Sequence, residues 1–431
     1  MDNLNLSQSF SKSFHDYFKS SFLKFTKPVK KNFVEISRGI LISGACILSM
    51  QIRATNKNII VRKGVERFSN FLENFYELNL EESRILNKHS SNISIDTPIF
   101  IDNTDTIKEY AEVMEGLSQV HDGSKHKIGN GYEIFAAGYL DNDKKYHHLL
   151  FELFSRTEKD YKSDYCEWEK NIFKIINNIG PEKGIYVMDC GYDANSYFNF
   201  LLANSLRFCI RMNLNRDKTR QVFWNNEKRN FDEVVFEDEQ SFTRKTKKGK
   251  NEHVEISYAK IQLKKSGDLL NLVKIVREKY PNPMYLLTTE NVDTKAKKKN
   301  ILDLYLSRWK IEEHFRALKT NFKIEGVQLR TLKKIKGLYR LICWLSNFLT
   351  WQSKKLLSDT SSYEYQIIKS YRTKTQYLSI FTALVMVFRD IWSHLKDRYH
   401  LWYFRSLHKS SNVSQQALFP KSLLANLSRI W

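Results

Sequence analysis

The sequence predicts an α/β fold: a mixed sheet with flanking helices, a β-rich insertion before a late charged helix, and helical regions at both ends. Three observations predict it. Short β-type runs alternate with amphipathic stretches between residues 98 and 212. A charged, β-leaning section fills about 213–290. Apolar and aromatic residues recur at helical spacing before about 90 and after 330.

Residues 8 to about 90 read as helices. Phe14, Phe18, Phe22 and Phe25, and later Phe68, Phe71, Leu72 and Phe75, form stripes at three- to four-residue spacing, and Gly and Pro are scarce. The run GILISGACILSM (39–50) is too short to span a bilayer and reads as one buried helix. At ISIDTPIFIDNTDT the texture changes, and a short β run after Pro98 ends at Asp102. GNGYEIFAAGYL (129–140) and KYHHLLFELF (145–154) read as strands joined by an Asp/Asn-rich turn. DYCEWEKNIFKIINNIG (164–180) reads as a helix ended by Gly180 and Pro181.

GIYVMDCGYD is a β run ending at Asp189, followed by a helix (194–206) that Asp193 is placed to cap, and a strand, RFCIRM (207–212). MYLLTTEN returns to a strand after the insertion, and DTKAKKKN leads into a helix over 305–319. The chain beyond 330 is helical and aromatic, and FRSLHKSSNVSQQALFPK reads as a loosely ordered tail. The expected division is 1–92, 93–345 and 346–431.

Lys and Arg number 69 against 48 Asp and Glu, a formal net charge of +21. That excess favours a polyanionic partner, nucleic acid ahead of a membrane surface. A lysine-rich composition typical of AT-rich coding contributes to it. The five cysteines (46, 166, 190, 209, 343) form no C-x-x-C pair, which argues against a zinc knuckle or redox motif and suits reduced thiols in the cytoplasm. The N-terminus lacks the charged-then-apolar layout of a signal peptide.

Three acidic residues stand out by position: Asp102 and Asp189 at strand ends, and Glu312 in the stretch YLSRWKIEEHFRALK. Strand ends of an open α/β sheet gather ligands, and converging carboxylates are the hard oxygen donors that Mg²⁺ takes. An Asp after a strand also serves as a turn residue bonding its own backbone. Asp105 competes with Asp102, Asp193 with Asp189, and Glu313 with Glu312. On a helix of about 100° per residue, Tyr305, Arg308, Glu312, Arg316 and Lys319 fall within an arc of about 80°. Leu304, Ile311, Phe315 and Leu318 form the neighbouring apolar stripe. Periodicity by itself fits a solvated face with ion pairs such as Glu312–Arg316.

The spacing Tyr305-x2-Arg308-x3-Glu312-x6-Lys319 resembles the Y-x2-R-x3-E-x6-K signature of bacterial cut-and-paste transposases, in the insertion-sequence group often numbered four. IFIDNTD resembles that family's first-aspartate strand, and IYVMDCGYDANSYFNFLL with RFCIRMNLNR its second-aspartate region. The likeness runs over about 95–345, and Cys190 departs from it where a basic residue commonly follows the second aspartate.

This resemblance implies a ribonuclease-H-like fold, with Asp102, Asp189 and Glu312 as a catalytic triad binding two Mg²⁺ or Mn²⁺ ions. It implies phosphate contacts for Tyr305, Arg308 and Lys319, with Arg211 and Arg216 as further candidates. Trp224 and Tyr285 are candidates for stacking on an extruded base, or else core residues. The implied reaction cuts DNA at terminal inverted repeats and joins the freed ends to target DNA, in a homodimer held through the C-terminal region. Residues 1–92 are either a cap on the main domain or a module recognising the DNA end. The implied location is cytoplasmic, on the nucleoid when DNA is bound. The alternatives are a metal-dependent nuclease of the same fold and an inactive DNA-binding inhibitor.

Overall fold

A computed structural model of the chain describes residues 3–22, 25–55, 59–77, 80–123, 127–213, 220–246, 249–265, 267–374, 382–387 and 389. Five helices come first: α1 (Asn3–Phe22), α2 (Lys27–Ser43), α3 (Leu48–Thr55), α4 (Val61–Glu77) and α5 (Leu80–Ser90). The phenylalanine stripes are buried as expected; Phe14, Phe18, Phe68 and Phe75 are fully enclosed. The apolar run 39–50 is not one helix. Gly44 adopts a left-handed conformation (φ 61°) that caps α2, and the chain restarts at Leu48. No single helix among the described residues is long and apolar enough to cross a membrane. α2 and α3 reach that length only jointly, across a 93° bend.

The sheet follows: β1 (Pro98–Ile107), β2 (Ser118–Asp122), β3 (Lys127–Leu140), β4 (Tyr146–Phe154), α6 (Asp164–Ile179), β5 (Ile185–Met188), α7 (Asn195–Ala203) and β6 (Arg207–Met212). α6 starts as its sequence prescribes, with Ser163 Oγ accepting the Cys166 N–H at 3.1 Å, and Gly180 (φ 97°) ends it. β7 (Gln221–Trp224) and β8 (Glu227–Asn230) form a small hairpin. β9 (Glu237–Lys245), β10 (Asn251–Ile261), β11 (Leu270–Arg277) and β12 (Met284–Thr288) continue the main sheet.

Ten strands make that sheet, in the order β2-β3-β1-β5-β6-β12-β11-β10-β9, with β4 also paired to β3. β1–β5 and β5–β6 are parallel and the other pairings antiparallel.

Four helices follow, α8 (Lys295–Ser307), α9 (Trp309–Phe322), α10 (Leu332–Ser358) and α11 (Tyr363–Lys374), and residues 382–387 are also helical. α10 is buried almost all round because it lies between the sheet and the N-terminal helices. Its closest approach is at Gly337, where an added Cβ would stand 2.1 Å from the Leu72 carbonyl oxygen.

The sheet separates two cores. One gathers α1–α4, α9 and α10 against one face; the other packs α6 and α7 on the opposite face. Strand alternation sorts residues between them: Phe100 and Val187 join the first core, Ile99, Ile101, Tyr186 and Met188 the second.

Two expectations need correction here. β1 does not end at Asp102, because β3 pairs with it as far as Ile107 and holds the polar Asn103–Asp105 stretch extended. The helix over 305–319 is two helices meeting at Arg308. The tail segment 404–421 lies outside the described residues.

Candidate active site

The site begins where two parallel strands end. The last registered pair of β1 and β5 is Phe100 with Val187. Two residues beyond each lie Asp102 and Asp189, at one level of the sheet. Both continue the alternation toward the face that α9 covers. β1 runs on past its partner, whereas the chain turns at Asp189, whose Oδ1 accepts the Gly191 N–H at 2.8 Å and caps the 3-10 turn Cys190–Tyr192. The turn role and the site position coincide in this residue.

The third carboxylate comes from α9. At the junction the Arg308 N–H bonds Tyr305 O at 3.0 Å and the Ile311 N–H bonds Arg308 O at 3.0 Å, so the helix tightens to i→i+3 bonding without leaving the helical region (φ −52°, ψ −33°). Ile311, Phe315 and Leu318 seat α9 in the core, which leaves Glu312, in its first turn, at the margin of the sheet. Arg308 bridges the elements: Nη1 donates to Asp102 Oδ2 at 2.8 Å and Nη2 to Glu312 Oε1 at 2.5 Å. The expected Glu312–Arg316 pair is replaced by this one, and Arg316 is exposed.

The electrostatics match this gathering. Burial first, then the neighbouring Asp189 and Glu312, push the Asp102 carboxyl up to about 7, against the opposing pull of Arg308. The Arg308 guanidinium is held charged more firmly than usual; burial opposes this, but Asp102, Tyr305, Asp189 and Glu312 outweigh it. Burial pushes the Tyr305 hydroxyl up to about 12, while Arg308 and a hydrogen-bonded Arg211 pull it down. Three carboxylates thus share a site with one clamping guanidinium, so negative charge is in surplus.

The remaining candidates fall as follows. Arg211, exposed on β6, stands beside Tyr305 and Cys190. Lys319, two turns along α9, pairs with Glu325 at 2.9 Å and with Asp105 at 3.9 Å. Arg216 lies outside the described residues. Glu313 pairs with Lys310 at 2.9 Å on the outer side of α9. Asp193 does not cap α7: the N-cap is Ala194. The carboxylate instead accepts the Asn213 N–H at 2.6 Å and pairs with Arg220. Trp224 and Tyr285 both pack against the second core, Tyr285 edge-on to Phe231 with ring centroids 5.3 Å apart.

Two further residues belong to the site's frame. Tyr192 is buried beside Asp102 and Asp189, and its hydroxyl donates to Asn103 Oδ1 at 3.2 Å. Lys108, 5% exposed at the end of β1, donates to the carbonyls of Glu325 (2.5 Å) and Val327 (3.2 Å) just past α9. It ties the Asp102 strand to the Glu312 helix. A lysine after a polar strand carries no signal of that role, since its acceptors are backbone groups more than 200 residues away.

Among the described residues no group of three or more His, Cys, Asp or Glu side chains stands close enough as it is to hold a metal ion. The donor chemistry nevertheless suits a hard divalent cation: three carboxylates, one of them poorly solvated and pushed toward neutrality by the others.

A family model described as a transposase DDE domain matches residues 170–348. That segment contains Asp189, Arg211, Tyr305, Arg308, Glu312 and Lys319, and starts after Asp102. No match was found among curated proteins. The chain therefore carries the catalytic segment of an enzyme that acts on DNA. The match indicates a DDE transposase.

Proposed function

We propose that this protein is a cut-and-paste transposase of the group-four insertion-sequence kind, with Asp102, Asp189 and Glu312 as its triad on a ribonuclease-H-like core. The carrying observation is that Asp102 and Glu312, 210 residues apart, meet on one guanidinium at the level of Asp189. Two Mg²⁺ or Mn²⁺ ions held by these carboxylates would supply an activated attacking oxygen and a stabilised leaving oxygen.

The chain's own groups then do the rest. Arg308 and Tyr305 orient a backbone phosphate beside the carboxylates, and Arg211 adds charge from the neighbouring strand. Lys319 would follow the same backbone further out, and Arg216, outside the described residues, is a further candidate for a backbone contact. The DNA end is read by the N-terminal region, whose described outer face carries exposed Lys27, Lys31, Arg53, Arg62 and Lys63. Each element has two ends, so a homodimer pairing them is the expected assembly, at the nucleoid. The substrates are terminal inverted repeats and then target DNA.

The test is incubation of purified protein with the ends of its own element, target DNA and Mg²⁺. Cleavage and strand transfer are expected, both abolished by Glu312→Gln with DNA binding kept. Full activity of that variant would overturn the assignment, and cleavage without joining would favour the plain nuclease.

A further inference from the structure

We infer that Arg308 is the resident counter-cation of the DNA-free centre, and that a divalent ion gains the carboxylates only when a DNA phosphate draws the guanidinium off them. This rests on the reading of Asp102, Asp189 and Glu312 as the metal-binding centre.

The argument is one of shared oxygens. Arg308 spends Nη1 on Asp102 Oδ2 and Nη2 on Glu312 Oε1, at 2.8 and 2.5 Å. A small divalent ion needs such oxygens at about 2.0–2.1 Å. Ion and guanidinium therefore compete for the same lone pairs. The three side chains are 12%, 14% and 28% exposed, so little water is available to screen the contest. Removing the guanidinium alone would leave Asp102 and Glu312 without the counter-charge bound to them, a costly state in a poorly solvated site. The exchange is favourable when the guanidinium has another anion to hold and the carboxylates another cation.

Phosphate fits the first requirement, because the planar fork that matches a carboxylate matches a phosphate equally. Arg308 sits where such an anion would arrive, next to Tyr305 and the exposed Arg211. Arg308 stands at the α8–α9 junction, and Ile311 and Phe315 are buried in the core through apolar contacts that do not involve the guanidinium's ion pairs. The result is an order of binding: DNA first, metal second.

Mn²⁺ titration followed by electron paramagnetic resonance tests this on the full chain, with and without a short 5′-phosphorylated duplex of the element's end. In the wild type the duplex is expected to tighten Mn²⁺ binding by about tenfold or more, within the usual range of binding couplings. Arg308→Met should reach the tight level without DNA and gain less than about twofold from it. Arg229→Met, which removes a charge from the small β7–β8 hairpin, where it pairs with Glu227, should bind Mn²⁺ in the DNA-free state as the wild type does. If Arg308→Met melts low, Arg308→Lys replaces it; keeping the charge without the fork, it should give an intermediate DNA-free affinity.

Equal Mn²⁺ affinity of the wild type with and without duplex would overturn the inference, as would an Arg308→Met or Arg308→Lys protein that binds no tighter than wild type. Mn²⁺ binding that survives in an Asp102→Asn, Glu312→Gln double variant would instead overturn the metal-centre reading beneath it.

Discussion

Arg340 and Arg308 both hold carboxylates, buried at the first and half-buried at the second, and they are spent differently. Arg340 on α10 meets Glu152 of β4 in a closed fork, Nε to Oε1 at 3.1 Å and Nη2 to Oε2 at 3.2 Å, and gives Nη1 to the Tyr76 carbonyl at 3.0 Å. There one guanidinium grips one carboxylate at two points, and Lys336 also acts on that carboxylate. Arg308 is divided between Asp102 and Glu312, with Asp189 as a third acid acting on the same group. The fork at Arg340 ties α10 and the end of α4 to the sheet. Unbalanced charge at Arg308 marks a place that needs something from outside, and perturbed carboxyls in such places are candidates for chemistry.

The largest expected effect breaks the comparison on the catalytic side. Glu312→Gln should lower cleavage and strand transfer by on the order of a thousandfold or more, as loss of one member of a catalytic unit does. Its melting temperature should stay close to that of the wild type, measured by circular dichroism. Retained cleavage would place the chemistry elsewhere.

On the structural side, Glu152→Gln should cost about 3–5 kcal/mol in urea unfolding, because it leaves a buried guanidinium without its counter-charge. Activity per folded molecule should not change. A variant that folds normally yet fails to cleave DNA would show that the Arg340 pair reaches the chemistry after all. Gly337→Ala, at the same α4–α10 contact, should cost about 1–3 kcal/mol through overpacking against Leu72.

A pH series sharpens the contrast. Asp102 in the folded protein keeps its proton up to about pH 7, whereas its ordinary value is 3.8. Between those values the folded state binds more protons than the unfolded chain. Stability from this group is therefore present at low pH and lost as pH rises through about 7. The metal-free wild type should lose stability over that window more steeply than Asp102→Asn does, and parallel urea midpoints for the two proteins would count against the shift.

Much of this was legible in the sequence, and the misses share one cause. The strand–helix alternation, the paired strands of 129–154, the Gly180 stop and the buried phenylalanine stripes follow from local pattern. Asp102 and Glu312 stand out by position and by the resemblance to the transposase signature, and the fold brings both to one guanidinium. Three features were not. Local pattern ends the β run at Asp102 because Asp and Asn disfavour strands, but pairing with β3 keeps Asn103–Asp105 extended. The break at Arg308 has no Gly or Pro to announce it, since it accompanies a contact to Asp102, 206 residues away. The split of the 39–50 run hides in a continuous apolar pattern that Gly44 interrupts by its backbone alone. In each case a distant partner or a backbone conformation overrode the local preference.

The smallest expected effect is the most selective test of which face of α9 matters. Glu313 follows Glu312 in sequence, and the same residue type at either position would satisfy composition and hydropathy equally. Their settings differ: Glu312 is bound by the guanidinium that also holds Asp102, while Glu313 pairs with Lys310 where the side chains are 37% and 41% exposed. An exposed pair of this kind contributes about 0–1 kcal/mol, since solvent screens it and ordering two long side chains opposes it. Glu313→Gln should therefore leave cleavage within about twofold and stability within about 0.5 kcal/mol of the wild type, as for ordinary surface substitutions. A loss as large as that of Glu312→Gln would mean that α9 turns its other face to the DNA, and the whole set of Tyr305, Arg308 and Lys319 would have to be read again from that face.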